Sequence, residues 1–185
     1  GPVVPQWNHP REYAGTFWSV LVSRTTPNPQ PGSDEINRAY EEGWVGNDRL
    51  AFIGDTLSKS DEKIPELFIV TLPKDEQGWK RAGEAPLEGT AETLPAPPAG
   101  VVQRRLTFTH GRAHPGLVNV PRHWVRSNPL GTQIAFLMRD DDHRRITIVE
   151  HVLKPANGID VEVVGRLVEQ QNVRIGKQGL AKQHA

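Results

Sequence analysis

Three histidines, His110, His114 and His123, fall close together in the second half of the chain. Neutral imidazole is a ligand that suits Mn or Zn, and a nearby carboxylate or amide would complete the coordination shell. The spacing of these histidines is not specific to metal sites, and we favour the interpretation that they are exposed in turns. The sequence therefore predicts no cofactor, and a divalent metal such as Mn held by the three histidines is the alternative.

Polar and aromatic residues in the first quarter of the chain could instead bind a ligand. Ser33 followed by two acidic residues is typical of a helix start, because a hydroxyl caps the first turn and carboxylates suit its positive end. The pattern predicts a short helix over 34–42 that ends at Gly43, with Arg38 paired to acidic neighbours on the solvated face. The candidate binding residues are His9, Arg11, Glu12, Arg38, Glu41 and Trp44.

Two consecutive arginines, Arg104 and Arg105, lie in a segment predicted to be a strand. Successive side chains of a strand point to opposite faces, so one guanidinium should lie on each side of the sheet. Either could bind a carboxylate or a phosphate, whereas pairing with neighbouring acidic residues is the more ordinary arrangement. The sequence contains no glycine-rich phosphate-binding motif and no G-x-S-x-G nucleophile elbow, and we assign no catalytic residue.

The overall charge argues against nucleic acid as a partner. Lys and Arg together number 22, and Asp and Glu together also number 22, so no net field draws the chain to phosphate backbones or anionic lipid. The sequence has no Cys, which excludes disulfides and thiolate metal sites. No apolar run approaches the roughly 18 residues that a membrane-spanning helix requires, so we predict no membrane span.

The elements that must position these residues are predicted to be short strands. The 17 Gly and 16 Pro favour strands joined by turns over long helices. The segment 74–100 is typical of an insertion, with Trp79 and Leu87 as its large apolar anchors. Towards the C-terminal end the pattern of 146–153 is compatible with a strand, that of 161–171 fits either a strand or a helix, and the periodicity does not decide. The strands predicted in the main part of the chain are 16–23, 50–53, 66–72, 101–109 and 134–138.

Two segments carry a repeat pattern, RRLTFTH at 104–110 and WVRSNPLGTQIAF at 124–136. A Leu-Thr pair, then a Trp, an Asn-Pro-Leu-Gly turn and Ile-Ala-Phe, resembles the boundary between two blades of a TolB-like β-propeller. The segments HPREYAGTFWSVLVS, LAFIGDTL and PELFIVTLP further resemble the YidR-like family of bacterial TolB-like proteins, which are also labelled Tol biopolymer transporter-like. This second resemblance extends over about residues 1–141.

The resemblance implies an all-β fold, in which the chain forms a partial propeller of two to three antiparallel blades with a short inserted helix. Residues 1–141 would form the propeller segment, with insertions at about 24–48 and 74–100, and 142–185 would form a divergent C-terminal tail. A blade takes about 40–45 residues and a ring needs about 4–8 blades, so a chain of this length supplies part of a ring.

No established chemistry comes with the resemblance. Exposed loops on a repeat scaffold, without an acid–base pair at identifiable spacing, favour a non-enzymatic scaffold that binds a protein or a small polar ligand. The alternative is a metal-dependent carbohydrate-active enzyme related to the oligogalacturonate lyases, propellers that hold a divalent metal with loop histidines. We expect a cytoplasmic location, as the narrower family suggests, and the periplasm is the alternative.

Overall fold

A computed structural model describes residues 20–118 and 125–139 in full, together with the backbone of four further strands. These parts of the chain consist mainly of antiparallel strands, with one short helix among them. The elements are β1 (Val3–Val4), β2 (Phe17–Trp18), β3 (Ala39–Val45), β4 (Arg49–Leu57), β5 (Lys63–Thr71), α1 (Glu76–Lys80), β6 (Val102–Arg105), β7 (Arg126–Ser127), β8 (Gln133–Met138), β9 (Arg145–Glu150) and β10 (Val164–Leu167). Strands β1 and β2 pair with each other.

Strands β3 to β6 form a four-stranded antiparallel sheet in chain order, called the first sheet below. Its centre is the pair β4 and β5, which runs from Arg49 opposite Thr71 to Leu57 opposite Lys63. Both strands carry buried residues in succession because the sheet is covered on each face. The strands predicted from apolar runs in this region are confirmed, and both are longer than predicted, although β5 ends one residue earlier.

Strands β7 to β10 form the second sheet, again four-stranded, antiparallel and in chain order. Strand β8 confirms the strand predicted over 134–138, and the turn before it is closed by a hydrogen bond from Gly131 N to Asn128 O at 2.9 Å. Strand β9 lies where the pattern of 146–153 is compatible with a strand, and β10 lies within 161–171, whose pattern fitted either a strand or a helix. These strands of the predicted tail therefore pair into the same sheet as β8.

The main hydrophobic core lies between the two sheets. The first sheet contributes the face that carries Ala51 and Ile69, and the second sheet contributes alternate residues of β8. Burial of apolar surface, worth about 25 cal/mol per Å², is the dominant stabilising term for such a core. Between the sheets, Leu117 N donates a hydrogen bond to Pro65 O at 2.8 Å. The buried members of the main core are Val45, Ala51, Ile53, Leu67, Ile69, Leu106, Leu117, Val125, Ile134, Phe136 and Met138.

The opposite face of the first sheet carries a second, smaller apolar cluster. Phe52 and Phe68 stack within it, with ring centroids 5.8 Å apart. Trp79 of α1 packs against this cluster, as expected for an apolar anchor of the insertion. The buried members of the second cluster are Ile36, Phe52, Phe68, Val70, Leu72 and Val101.

The helix predicted over 34–42 is wrong. Its second half is strand β3, which pairs with β4. Ser33 caps a turn instead of a helix, because its Oγ accepts a hydrogen bond from Glu35 N at 3.1 Å. The sheet gives the following residues backbone hydrogen bonds and buries Ile36 completely, and these tertiary contacts override the local helix signals.

Two predicted strands are shorter than expected. Within 16–23 the strand is Phe17–Trp18, and 20–23 are not in a strand. Within 101–109 strand β6 ends at Arg105. Leu106 N still donates a hydrogen bond to Leu67 O of β5 at 2.7 Å, and Thr107 and Thr109 then direct their polar groups to Glu66.

The helix of the described residues, α1, lies in the predicted insertion 74–100. Asp75 caps its start, where Asp75 Oδ1 accepts a hydrogen bond from Gly78 N at 2.7 Å. A backbone bridge between Ala82 and Pro98 closes the insertion. Across the described part of the chain, no helix has the length and apolar character needed to cross a membrane.

Candidate functional site

Strand β3 and the residue before it carry the predicted binding residues that the structure describes. Glu41 and Trp44 lie on the strand, and Arg38 directly precedes it. The predicted helix would have placed Arg38 on a solvated face, whereas a strand sends neighbouring side chains to different faces. The predicted binding residues that lie outside the described part of the chain are His9, Arg11 and Glu12, whose role stays a prediction.

Arg38 has different surroundings from those that a helix would provide. Its guanidinium lies over the ring of Tyr40, 4.8 Å from the ring centroid, in a cation–π contact. The Tyr40 hydroxyl donates a hydrogen bond to Asp55 Oδ1 at 2.7 Å. Lys63 Nζ lies 3.2 Å from Asp55 Oδ2. Arg38 therefore belongs to a series of contacts that joins β3, β4 and β5.

A β-bulge interrupts β3 at Glu41. The register with β4 shifts between Tyr40 and Gly43, and Glu41 has a φ of 54°, a left-handed conformation that costs a non-glycine residue about 1–2 kcal/mol. The extra residue reverses the alternation of side chains along the strand. Val45 consequently points into the main core and Trp44 to the opposite face, positions that an uninterrupted strand would exchange.

The carboxylate of Glu41 is incompletely paired. Its Oε2 atom is buried, and no hydrogen-bond partner reaches it from the residues that the structure describes. A buried acceptor without a partner costs about 1–3 kcal/mol, which adds to the backbone strain at the same residue. Strain and an unpaired polar atom at one position are typical of functional sites.

Trp44 lines an apolar groove on the face of the first sheet that lies opposite the main core. This Trp44 groove has a volume of about 810 Å³, and the indole of Trp44 is 61% exposed. Leu50 comes from β4, whereas Trp79 and Leu87 come from the insertion, so the groove joins segments distant in sequence. Its apolar lining consists of Val20, Val22, Trp44, Leu50, Leu72, Trp79 and Leu87.

Three charged residues, Glu76, Lys80 and Glu88, complete the lining of the Trp44 groove. Glu76 and Lys80 lie one turn apart on α1, and Lys80 Nζ is 2.5 Å from Glu76 Oε1. The hydrogen bond from Lys80, and then its charge, hold the pKa of Glu76 below its usual value, so this carboxylate is ionised at neutral pH. The groove therefore offers an apolar interior beside polar groups with more negative than positive charge.

A buried polar cluster joins β5 to the residues after β6. Glu66 is fully buried, and its carboxylate accepts hydrogen bonds from Arg105 Nη2 at 2.9 Å, from Thr109 N at 2.7 Å and from Thr109 Oγ1 at 2.8 Å. The Thr107 hydroxyl donates a further hydrogen bond, and Arg105 Nη1 lies 3.3 Å from Asp34 Oδ1. A carboxylate with this many donors is satisfied, so the Glu66 cluster stabilises the fold.

The sequence analysis missed the Glu66 cluster, although the chain contains signals for it. Glu66 is the one charged residue of the apolar segment 66–72, and a buried carboxylate requires donors. Thr107 and Thr109 supply hydroxyls after the next strand of the sheet. Pairing of a strand arginine with acidic residues, the ordinary arrangement, is confirmed for Arg105.

The histidines predicted as alternative metal ligands lie at the surface where the structure describes them. His110 and His114 are both exposed. Within the described ranges, no group of three or more His, Cys, Asp or Glu side chains could hold a metal ion. His123 lies outside those ranges, so the three-histidine site stays a prediction, as does the expectation of no cofactor.

Comparison with known proteins identifies a relative of this chain. Over 142 residues the chain is 79% identical to a protein of Escherichia coli (strain K12) named "Uncharacterized protein YidR". The chain is a close homologue of YidR. The aligned part covers 77% of this chain, which confirms the YidR-like relationship expected from segments such as 50–57 and 65–73.

The alignment covers 34% of YidR, so the chain spans about a third of the length of the relative that it matches. No model of a known protein family matches the chain, and no solved structure matches it. The name of YidR states no activity, and a functional argument therefore depends on the geometry of the Trp44 groove and of strand β3.

Proposed function

We propose that this chain is part of a TolB-like β-propeller that acts as a non-enzymatic binding scaffold. Two observations support the propeller. The two four-stranded sheets follow each other along the chain, each with its strands in sequence order, as propeller blades do. Their first strands are also in contact, because Ser127 Oγ of β7 donates a hydrogen bond to the carbonyl of Trp44 on β3 at 2.8 Å.

The Trp44 groove is the observation that carries the binding function. Ligand sites are commonly apolar concavities of about 300–1,000 Å³, and the groove, at about 810 Å³, lies within this range. The indoles of Trp44 and Trp79 can stack on a planar group, and aromatic contacts add about 0.5–1.5 kcal/mol each beyond the buried area. The ligand supported best is a small molecule with an aromatic or apolar body and a polar or cationic substituent.

Titration with Nile red, a neutral dye that fluoresces in apolar surroundings, tests the groove. Trp44→Ala is expected to weaken dye binding about tenfold, which corresponds to about 1.4 kcal/mol of lost stacking and burial. Leu130→Ala is the matched control, since Leu130 is 79% exposed in the turn before β8 and does not line the groove. Its dye affinity should equal that of the wild type.

Equal weakening by the two variants, or unchanged affinity in both, would show that the groove is not the binding site. Trp79→Ala supplies a second variant on the insertion side and should also weaken dye binding. A protein partner would present an apolar side chain to the same groove, and an excess of Nile red should then displace that partner from the full-length protein.

The lyase alternative requires different outcomes. Stoichiometric Mn, Zn or Fe in the full-length homologue, together with absorbance of unsaturated product during uronide digestion, would replace the scaffold proposal with an enzyme. For location we propose the cytoplasm, on the resemblance to the YidR-like family, with the periplasm as the alternative. Fractionation of cells that carry the tagged full-length protein decides between the two compartments.

A further inference from the structure

Arg104 and Arg105 are neighbours on β6 with different surroundings. Arg105 is opposite Phe68, and its guanidinium contacts acidic residues on that face. Arg104 is opposite Ile69, a residue of the main core, so its side chain lies on the other face of the sheet. This confirms the predicted placement of one guanidinium on each side. Among the described residues, no acidic side chain forms an ion pair with Arg104.

Arg49, at the start of β4, lies on the same face as Arg104. It is two residues before Ala51, which is opposite Ile69, and side chains two residues apart on a strand share a face. Arg49 Nη2 donates a hydrogen bond to Gly131 O at 3.4 Å, in the turn before β8, and Arg49 Nε lies 3.2 Å from Asp48 Oδ1. The Arg49 side chain therefore reaches across the seam between the two sheets.

The remaining nitrogen of this guanidinium has no hydrogen-bond partner among the described residues. Arg49 Nη1 is buried, and no acceptor reaches it from the part of the chain that the structure describes. Buried donors in native proteins are nearly always paired with protein, water or ligand. Two turns beside Arg49, one containing Gly46 and the other Gly131, contact each other through these glycines. A Cβ added to Gly131 would lie 2.7 Å from Gly46 N. At these two positions the turns offer Arg49 no side-chain acceptor.

Arg49 and Arg104 lie on the same face of the first sheet, on strands β4 and β6 that both pair with β5. Partial burial, and then the positive charge of Arg49, hold the pKa of Arg104 below its usual value. The Arg104 guanidinium nevertheless stays protonated at neutral pH. Within the described residues, Asp48 is the acidic residue in contact with this pair. Counting the residues that the structure describes, the pair therefore carries more positive charge than its neighbours compensate.

We propose that Arg49 and Arg104 together bind a small oxyanion, a phosphate or a carboxylate group, at the seam between the two sheets. Guanidinium groups recognise such anions through parallel, charge-assisted N–H···O bonds. The anion accepts a hydrogen bond from Arg49 Nη1 and neutralises the repulsion between the two arginines. This site is independent of the Trp44 groove, because it lies on the opposite face of the first sheet.

Thermal unfolding in increasing inorganic phosphate, at an ionic strength held constant with chloride, tests the site. A ligand that binds the folded state alone raises the unfolding temperature with its concentration. We expect phosphate to stabilise the wild type, and Arg104→Gln to weaken the apparent phosphate affinity about tenfold. Arg112→Gln is the matched control, since it removes the same charge from an exposed loop residue, and it should leave the affinity unchanged.

A second variant, Arg49→Lys, keeps the charge and removes the planar fork of donors. It should also weaken phosphate binding, and a wild-type affinity would overturn the two-arginine site. Acetate in place of phosphate distinguishes the two classes of anion. Stronger stabilisation by acetate than by phosphate would assign the site to carboxylates. The proposal is overturned if neither anion stabilises beyond chloride, or if Arg104→Gln and Arg112→Gln weaken binding equally. Nile red affinity should be the same in Arg104→Gln and the wild type.

Discussion

Glu66 and Glu41 both belong to the first sheet, yet their surroundings differ in burial, backbone conformation and pairing. Glu66 is fully buried, and each of its carboxylate oxygens accepts at least one hydrogen bond, from Arg105, Thr107 or Thr109. Glu41 lies at a bulge with a φ of 54°, and one of its oxygens is buried without a partner among the described residues.

This difference separates a stabilising region from a region suited to function. A buried carboxylate with a complete set of donors is a fixed part of the fold. Backbone strain and an unpaired polar atom cost stability, and they persist where the surrounding structure enforces them for another purpose. At Glu41 the bulge places Trp44 on the groove face, so we infer that the strain serves binding.

The largest expected effect comes from Glu66→Ala. This change leaves the Arg105 guanidinium, whose side chain is 6% exposed, with Asp34 as its acidic partner. Removing one member of a buried ion pair costs about 3–5 kcal/mol, and we expect a loss of this size in the free energy of unfolding, measured by urea denaturation. Glu62→Ala, at an exposed position, should change it by less than about 0.5 kcal/mol. If both variants lose little free energy of unfolding, Glu66 is not a stabilising residue, and its proposed difference from Glu41 is contradicted.

A smaller loss is expected from Gly43→Ala, within the bulge. A Cβ at Gly43 would lie 2.3 Å from the carbonyl oxygen of Val125, so the backbone must move. Overpacking of this kind costs about 1–3 kcal/mol, measurable in the same urea experiment. Gly111→Ala is the control, because a Cβ there meets nothing within 4 Å. If both variants are equally stable, β3 is not held against the second sheet at this point.

Glu41→Gly should stabilise the protein. Relief of the left-handed conformation is worth about 1–2 kcal/mol, and the greater freedom of Gly in the unfolded chain offsets about 0.4–1 kcal/mol of it. We expect a net gain of about 0.5–1 kcal/mol in the free energy of unfolding from the backbone alone, and removal of the unpaired Oε2 adds to this gain. Asp61→Gly is the comparison, since Asp61 has a φ of 63° outside the bulge. A gain at Glu41 no larger than at Asp61 would show that the unpaired carboxylate costs nothing.

The smallest effect on stability is expected at Trp44. Its indole is 61% exposed, so Trp44→Ala should lower the free energy of unfolding by less than about 1 kcal/mol, close to the value for Leu130→Ala. The two variants should differ in Nile red affinity alone. A loss of several kcal/mol in Trp44→Ala would assign this tryptophan to the fold, as for Glu66, and not to the groove.

Local patterns predicted some elements and failed at others for identifiable reasons. Strands β4, β5 and β8 were predictable because runs of apolar residues between turn residues indicate buried strands. The helix over 34–42 failed because Ser33 and its acidic neighbours satisfy a turn as well as a helix cap, whereas pairing with β4 is not visible locally. Glu41 was selected as part of that helix and Trp44 just after its end, and both remain candidates on a strand.

The candidate site itself was predictable only in part. Trp44 could be selected from its residue type, but the groove depends on Trp79, which a long stretch of sequence separates from it. The Glu66 cluster likewise joins Glu66 to Thr109 on a later segment. Contacts of this kind follow from sheet order and register, which residue spacing does not specify.

The amino-acid sequence by itself determined the predominance of strands, the balanced charge and the placement of Arg104 and Arg105 on opposite faces. These properties depend on residue type and on the two-residue period of a strand. Tertiary structure alone decided that Arg105 contacts Glu66, that Arg49 reaches the turn before β8, and that Trp44 faces a groove. Those outcomes depend on strand register, on a one-residue bulge and on packing between segments that are distant in sequence.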